Sequence, residues 1–516
     1  MKKIWLLTQS ILLAMFLLGG NLLFFAASGA PADAGEEGWI GSWGCAAVNA
    51  EFALGKTVVT VSGTKAGIRI RLVNTVQGNT LRLRFSNKYG KKPLTIDGCN
   101  LSRASKEYTH GIQRDSSRVV SFAGQDSVTI PAGETVDSDP LEMQVDNGEA
   151  LTVDLYIKSF SGLRTVGISG ADTFLQRGDP RGQARLDGAL PMSFDKFQVV
   201  PVLTALEVKA SQARTIVIIG DSTTIGGIPD KLAARIHLAA GENTGVVGLG
   251  ISGNRLLTCY EKPLLRSVFG RPMLERMEED ALSVPGITHL VVKVGVNDIL
   301  HPYLKSLQGI AKQANTDDII AGLQQVVAKA EAQGVPVMLL PLTQWKGYDR
   351  DLFNTGNVDL VWNEEAQQKV DTVNAYIMQY AKEHNYTLDF SVLNDPADPL
   401  RLHPDYTDDG THYTNAGEAA LVNAIPLYFF DAKQSAVSSV QTMSASVSPK
   451  AAASVSVEQL LTPTLYPPEN IGRSLLPVAA TIGFVALVML LLVIFSLFLL
   501  LRTAMRPLRK KRKRAA

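Results

Sequence analysis

Four short blocks, in order along the chain, hold residue types that can move an acyl group. Gly220-Asp221-Ser222 offers a hydroxyl, and Gly250-Ile251-Ser252-Gly253-Asn254 a glycine whose amide is unobstructed by a side chain. Gly295-Val296-Asn297-Asp298 offers a side-chain amide, and Asp408-Asp409-Gly410-Thr411-His412 an imidazole with an acid three residues before it. A serine hydroxyl is a poor nucleophile at neutral pH and needs an adjacent base. His412 is the candidate base, and Asp409 the group to orient its ring and stabilise the imidazolium. The oxyanion that forms needs aimed donors, and the amides of Ser222 and Gly253 with the side-chain amide of Asn297 are the candidates. Each block alone is an ordinary turn. The specificity lies in having all four, in order. His403, in Leu402-His403-Pro404, is a weaker base because no acid lies three residues before it. His110, His237, His289, His301 and His384 read as solvated histidines.

The blocks need a frame that gathers them. Thr215–Ile219 is a continuous β-branched run, as for a strand buried on both faces. Further strands read at 244–248, 289–294, 335–340 and 386–390, with helices at Pro229–Ala240, Asp317–Gln333 and Glu364–His384 between them. Strands alternating with helices predict a parallel sheet covered on both sides. Ligands of such sheets gather beyond the carboxyl ends of the strands, and the blocks follow the first, second, third and fifth strands.

Residues 35–210 read differently, as short alternating strands such as 58–61, 68–73, 80–85 and 150–157, with turns at Gln77-Gly78-Asn79 and Pro131-Ala132-Gly133. That pattern predicts an all-β, sandwich-like domain. No convincing cluster of titratable groups stands out within it. The α/β domain then spans 211–432, and a Ser/Ala/Pro-rich linker 433–474.

The two ends suggest a location. Lys2 and Lys3 precede an apolar run and small residues around Ala30 and Ala34, so residues 1–34 read as a secretory signal peptide, or as an N-terminal anchor if uncleaved. Residues 475–501 carry no charge and are long enough to form a transmembrane helix. The basic tail 502–516 places that end in the cytoplasm and the bulk of the chain outside it. The 516 residues carry a net charge of +1, but 475–516 contribute about +8 and 1–34 about +1. Residues 35–474 are therefore acidic, about −8, which argues against nucleic-acid binding. Three cysteines exclude a disulfide-dense fold. Cys45 and Cys99 could pair in such a compartment, leaving Cys259.

The combined blocks, Gly220-Asp221-Ser222, Gly253, Asn297 and Asp409-x-x-His412, resemble the SGNH (GDSL-type) hydrolase superfamily. Residues 81–96, 128–133 and 280–298 resemble a secreted esterase subgroup with an N-terminal β-rich region. The resemblance implies a three-layer α/β/α, flavodoxin-like catalytic domain and an esterase without cofactor or metal. It implies Ser222, Asp409 and His412 as the triad and Ser222, Gly253 and Asn297 as the oxyanion hole. Its preferred substrate is an acetylated glycan, making the chain a carbohydrate O-acetylesterase anchored at the cell membrane. A lipid-directed esterase or lysophospholipase is the alternative, and a non-catalytic glycan-binding surface protein the reading of another class. Two departures bear on substrate. The first block commonly continues with an acid before glycine, but here reads Ser222-Thr223-Thr224-Ile225-Gly226-Gly227. Tyr413 stands where proline is common. Gly248-Leu249-Gly250-Ile251-Ser252-Gly253 formally matches a dinucleotide-binding fingerprint, but it follows the second strand of the α/β part instead of the first.

Overall fold

The computed structural model describes residues 37–49, 65–159, 163–194, 197–348 and 360–431. The expected signal, the strand at 58–61, the linker, the membrane span and the basic tail lie outside these residues. No helix among the described residues is long and apolar enough to cross a membrane.

The N-terminal part is built of antiparallel strands. Its principal members are β1 (Gly38–Gly44), β2 (Ala66–Asn74), β3 (Gly78–Ser86), β4 (Gly98–Arg103), β5 (Leu141–Val145) and β6 (Glu149–Ile157). They are followed by β7 (Thr165–Ser169), β8 (Asp172–Arg177), β9 (Phe197–Pro201) and β10 (Leu203–Ala210). One sheet runs β1-β10-β3-β5, a second runs β8-β2-β6-β4, and β7 pairs with β9 in a third. β1 pairs with β10 from Gly38↔Ala210 to Gly44↔Ala205, so the start of this part closes on its end.

Alternation in β2 does not give it a wet face. Arg69 is fully buried: its Nε and one terminal nitrogen each donate to an Asp154 oxygen at 2.7 Å, and the guanidinium also reaches the carbonyls of His110, Pro180 and Gln183. Arg82, Arg84, Asp137 and Glu207 form a second ionic group on β3 and its neighbours. Titratable clusters are thus present where the sequence showed none, because their members lie far apart in the chain and meet across strands. Cys45 and Cys99 do not pair. Both are buried and free, Cys99 lies on β4 beside Leu155, and the Cys45 thiol donates to the carbonyl of Leu203.

The α/β part carries a parallel sheet in the order β12-β11-β13-β14, with β11 at Arg214–Gly220, β12 at Thr244–Gly250, β13 at Ile287–Lys293 and β14 at Val337–Leu339. After their first one or two residues, β11 and β13 are buried throughout, as their apolar runs require. Its longer helices are α1 (Ile228–Ala240), α2 (Met273–Asp280), α3 (Thr316–Glu331), α4 (Glu364–Glu383) and α5 (Asn415–Ala424). Helices α1 and α5 pack together, while α3 packs against α2 and α4. The strand order reverses direction after β12, so right-handed crossovers put these two groups on opposite faces. Asn315, Asn363 and Thr414 cap the first turns of α3, α4 and α5 through their side-chain oxygens.

The expected fifth strand at 386–390 makes no ladder among the described residues. Side chains serve the outer edge of the sheet instead. The Tyr386 hydroxyl accepts from the Leu339 amide at 2.9 Å, and the Asn374 side chain exchanges hydrogen bonds with the backbone of Leu342 at 2.7 and 3.1 Å. A hairpin of Asn394–Asp395 with Asp398–Leu402 follows.

Arg69→Met would leave the buried Asp154 carboxylate without its cation, at a cost of about 3–5 kcal/mol. Burial already pushes the Asp154 carboxyl up to about 6, so in acid it takes up a proton and needs the cation less. Urea unfolding should therefore show a larger loss at pH 7 than at pH 5. An equal loss at both would count against this account.

Candidate active site

Ser222 opens a single 3-10 turn, Ser222–Thr224, directly after β11. Asp221 shapes that turn: one of its oxygens accepts from the Thr223 amide at 2.9 Å and the Thr223 hydroxyl at 2.8 Å. Burial raises the Asp221 carboxyl, and the Lys293 ammonium opposes that rise. Lys293, the last residue of β13, is itself buried and is pushed down to about 8. It donates to the Pro341 carbonyl at 2.7 Å and the Thr343 hydroxyl at 2.8 Å, and that hydroxyl lies 3.1 Å from the Tyr413 hydroxyl. Tyr413, the departure noted beside the histidine, thus ties the histidine loop to the end of the sheet.

His412 Nε2 lies 2.8 Å from Ser222 Oγ, and its Nδ1 lies 2.7 Å from Asp409 Oδ2. The other Asp409 oxygen accepts the amides of His412 at 2.9 Å and Thr411 at 3.1 Å. The carboxylate therefore fixes both the ring and the backbone that carries it. Ser222 is 9% exposed and His412 6%, so the pair is shielded yet reachable.

The three candidate donors follow β11, β12 and β13. The amides of Ser222 and Gly253 donate to no group among the described residues. Gly253 has φ +71°, and the Phe269 ring occupies the place where its Cβ would stand. Asn297 Nδ2 donates to the Asn254 carbonyl at 3.0 Å, which orients the amide and leaves one of its hydrogens for an oxyanion. Asn254 organises this corner. It donates to the carbonyls of Phe269 and Arg271 and accepts from Arg276. Asp298 joins the two loops by accepting the amides of Leu256 at 2.7 Å and Leu257 at 3.1 Å.

The remaining histidines stand elsewhere. His403 accepts the Asp405 amide and packs on Tyr406. His289 and His301 are buried instead of solvated: the first sits against Phe429 and Phe430, the second against Tyr260 and Phe269, and burial pushes both down to about 3.

A cleft of about 300 Å³ opens over Ser222 and His412. One wall comes from the α/β part, with Gly226, Gly227, Lys231 and Glu418. The other comes from the β-rich part, with Ser169, Gly170, Asp172 and Gln198. The contribution of Ser169, Asp172, Gln198, Lys231 and Glu418 was not readable from the sequence, because no local motif marks them. If Asn297 serves the oxyanion, Asn297→Ala lowers kcat on p-nitrophenyl acetate about a hundredfold while KM changes little. A change confined to KM would remove it from that role.

Residues 218–420 match the model of the GDSL-like Lipase/Acylhydrolase family. No curated protein matches the chain. Among solved structures, the chain is similar to a GDSL-like lipase from Bacteroides thetaiotaomicron VPI-5482, with 22% identity over 42% of this chain and 88% of that one and a TM-score of 0.28. It is also similar to an acetyl xylan esterase, with 21% identity over 41% of this chain and 96% of that one and a TM-score of 0.29. With the glycine, serine, asparagine and Asp/His blocks all falling inside the matched segment, residues 218–420 are a domain of the GDSL-like lipase/acylhydrolase family.

Proposed function

We propose that the chain is a serine esterase that removes small acyl groups, acetyl foremost, from a carbohydrate. In this reading it works outside the cytoplasmic membrane, tethered by residues 475–501. The observation that carries the chemistry is the imidazole of His412, within hydrogen-bond reach of Ser222 on one side and Asp409 on the other. Ser222 Oγ attacks the ester carbonyl carbon while its proton passes to His412 Nε2. The negative oxygen is met by the amides of Ser222 and Gly253 and by Asn297. His412 then gives its proton to the departing alcohol. A water, deprotonated by the same ring, releases the acyl group and restores Ser222. The polar lining of the cleft, with Asp172, Gln198, Lys231 and Glu418, supports a hydroxylated alcohol over a long lipid chain. The uncharged run at 475–501 and the basic residues behind it support the tether.

A membrane-impermeant fluorophosphonate probe applied to intact cells that express the full chain should label it in the membrane fraction, and Ser222→Ala should abolish labelling. Labelling of the purified chain but not of intact cells would overturn the placement and leave the chemistry standing. Labelling of the alanine variant would overturn the nucleophile. The base requires a neutral imidazole, so kcat/KM should rise with pH as His412 loses its proton and fall in acid. A profile that stays level from about pH 5 to about pH 8, the range in which histidines commonly titrate, would contradict that role.

A further inference from the structure

Glu418 lies in the first turn of α5, six residues after His412, and lines the same cleft as Ser222. Its two oxygens have different surroundings. Oε2 accepts from Lys231 Nζ at 2.8 Å and from the Gly227 amide at 3.1 Å. Oε1 has no hydrogen-bond partner among the described residues and lies beside Gly226, which also lines the cleft. The side chain is only 13% exposed, so the carboxylate is held in place and offers one oxygen. Room for it comes from Gly226, at φ +106°, where a Cβ would fall 2.0 Å from Oε1. This is the loop in which the first sequence block lacks its acid. A carboxylate does stand against that loop, brought from α5.

An anchored acceptor beside a nucleophile selects for a donor on the substrate. Lys231 compensates the charge through Oε2, so the site favours a neutral hydroxyl over a second cation. Resting on the esterase reading above, we infer that Glu418 is a specificity-determining residue. Its Oε1 accepts a hydrogen bond from a free hydroxyl on the alcohol part of the ester, close to the acylated position. Lys231 and the Gly227 amide are positioning groups that fix the carboxylate. The preferred substrate is then a partly acylated polyol or sugar, and a substrate with every other hydroxyl blocked is turned over poorly.

Glu418→Gln tests this sharply. The Lys231 ammonium and the Gly227 amide both demand an acceptor at the Oε2 position, so the amide oxygen settles there and the NH₂ group takes the Oε1 position. The acceptor facing the cleft becomes a donor. The measurement is kcat/KM of the full-length chain on a monoacetylated methyl glucoside and on its analogue with all free hydroxyls methylated. Wild type should favour the hydroxylated substrate on the order of tenfold, and Glu418→Gln should remove most of that preference. Lys231→Gln breaks the same ion pair but leaves a carboxylate, so it should keep more of the preference than Glu418→Gln. Glu418→Asp, which withdraws the carboxylate by one methylene, gives a second reading if the glutamine variant folds poorly. It should lower the preference as well. An unchanged preference in both Glu418 variants, an equal loss in Lys231→Gln, or no preference in the wild type overturns the inference. If p-nitrophenyl acetate and both glucosides all resist the wild type, the esterase reading itself has failed. Turnover of p-nitrophenyl acetate without preference between the glucosides defeats only the role of Glu418.

Discussion

One imidazole joins the two ends of the α/β part. His412 stands 190 residues beyond Ser222 in the chain, and its ring is held between that hydroxyl and Asp409. Several contacts hold that ring and its loop in place. Asp409 accepts the amide of the same histidine, so ring and backbone share an anchor. Tyr413 reaches Thr343, and Thr343 accepts from Lys293 at the end of a central strand. From the other side, Glu418 grips Gly227 and Lys231 just past the turn that carries Ser222. The histidine loop is thus fastened both to the sheet and to the segment that carries Ser222. Rigid placement of this kind removes orientational entropy from the reaction before substrate arrives.

The sheet sets the rest of the geometry. Parallel strands in the order β12-β11-β13 present three loops at one edge, and each loop contributes one of the three candidate oxyanion donors. Asn254 and Asp298 then lock the second and third loops together. In this division Asp298, the residue after Asn297, has a structural part. Its two hydrogen bonds to the backbone at 256 and 257 set the distance between loops that local sequence alone cannot fix.

The parts of this arrangement visible in the sequence are those with a local cause. Continuous apolar runs announced β11 and β13, and the groups that follow those strands had to lie at their carboxyl ends. The segment 386–390 carried the same strand-like signal, yet Tyr386 meets the sheet edge with its hydroxyl, which no pattern of hydropathy encodes. β2 alternates apolar and polar residues, yet its Arg69 is buried, because Asp154, 85 residues away, stands opposite it. Glu418 gave no sign of its own. Its trace in the sequence was indirect, in the Gly226-Gly227 pair that leaves space for it. Cys45 and Cys99 offered a plausible bridge by number alone, and the strands simply hold them apart.

The pairing of β1 with β10 carries a consequence for how the molecule is made. Gly38 finds Ala210 across the ladder, so the earliest described strand has no partner until nearly all of the β-rich part has been synthesised. Its Gly41 amide also donates to the Pro285 carbonyl and the Thr215 hydroxyl, which arrive later still. Pairings of such long range are slow to form and leave an unsatisfied edge exposed meanwhile. Residues 38–44 therefore wait for residues 203–210 to complete their ladder, and the seam between the β-rich part and the α/β part closes only after Pro285 has been made.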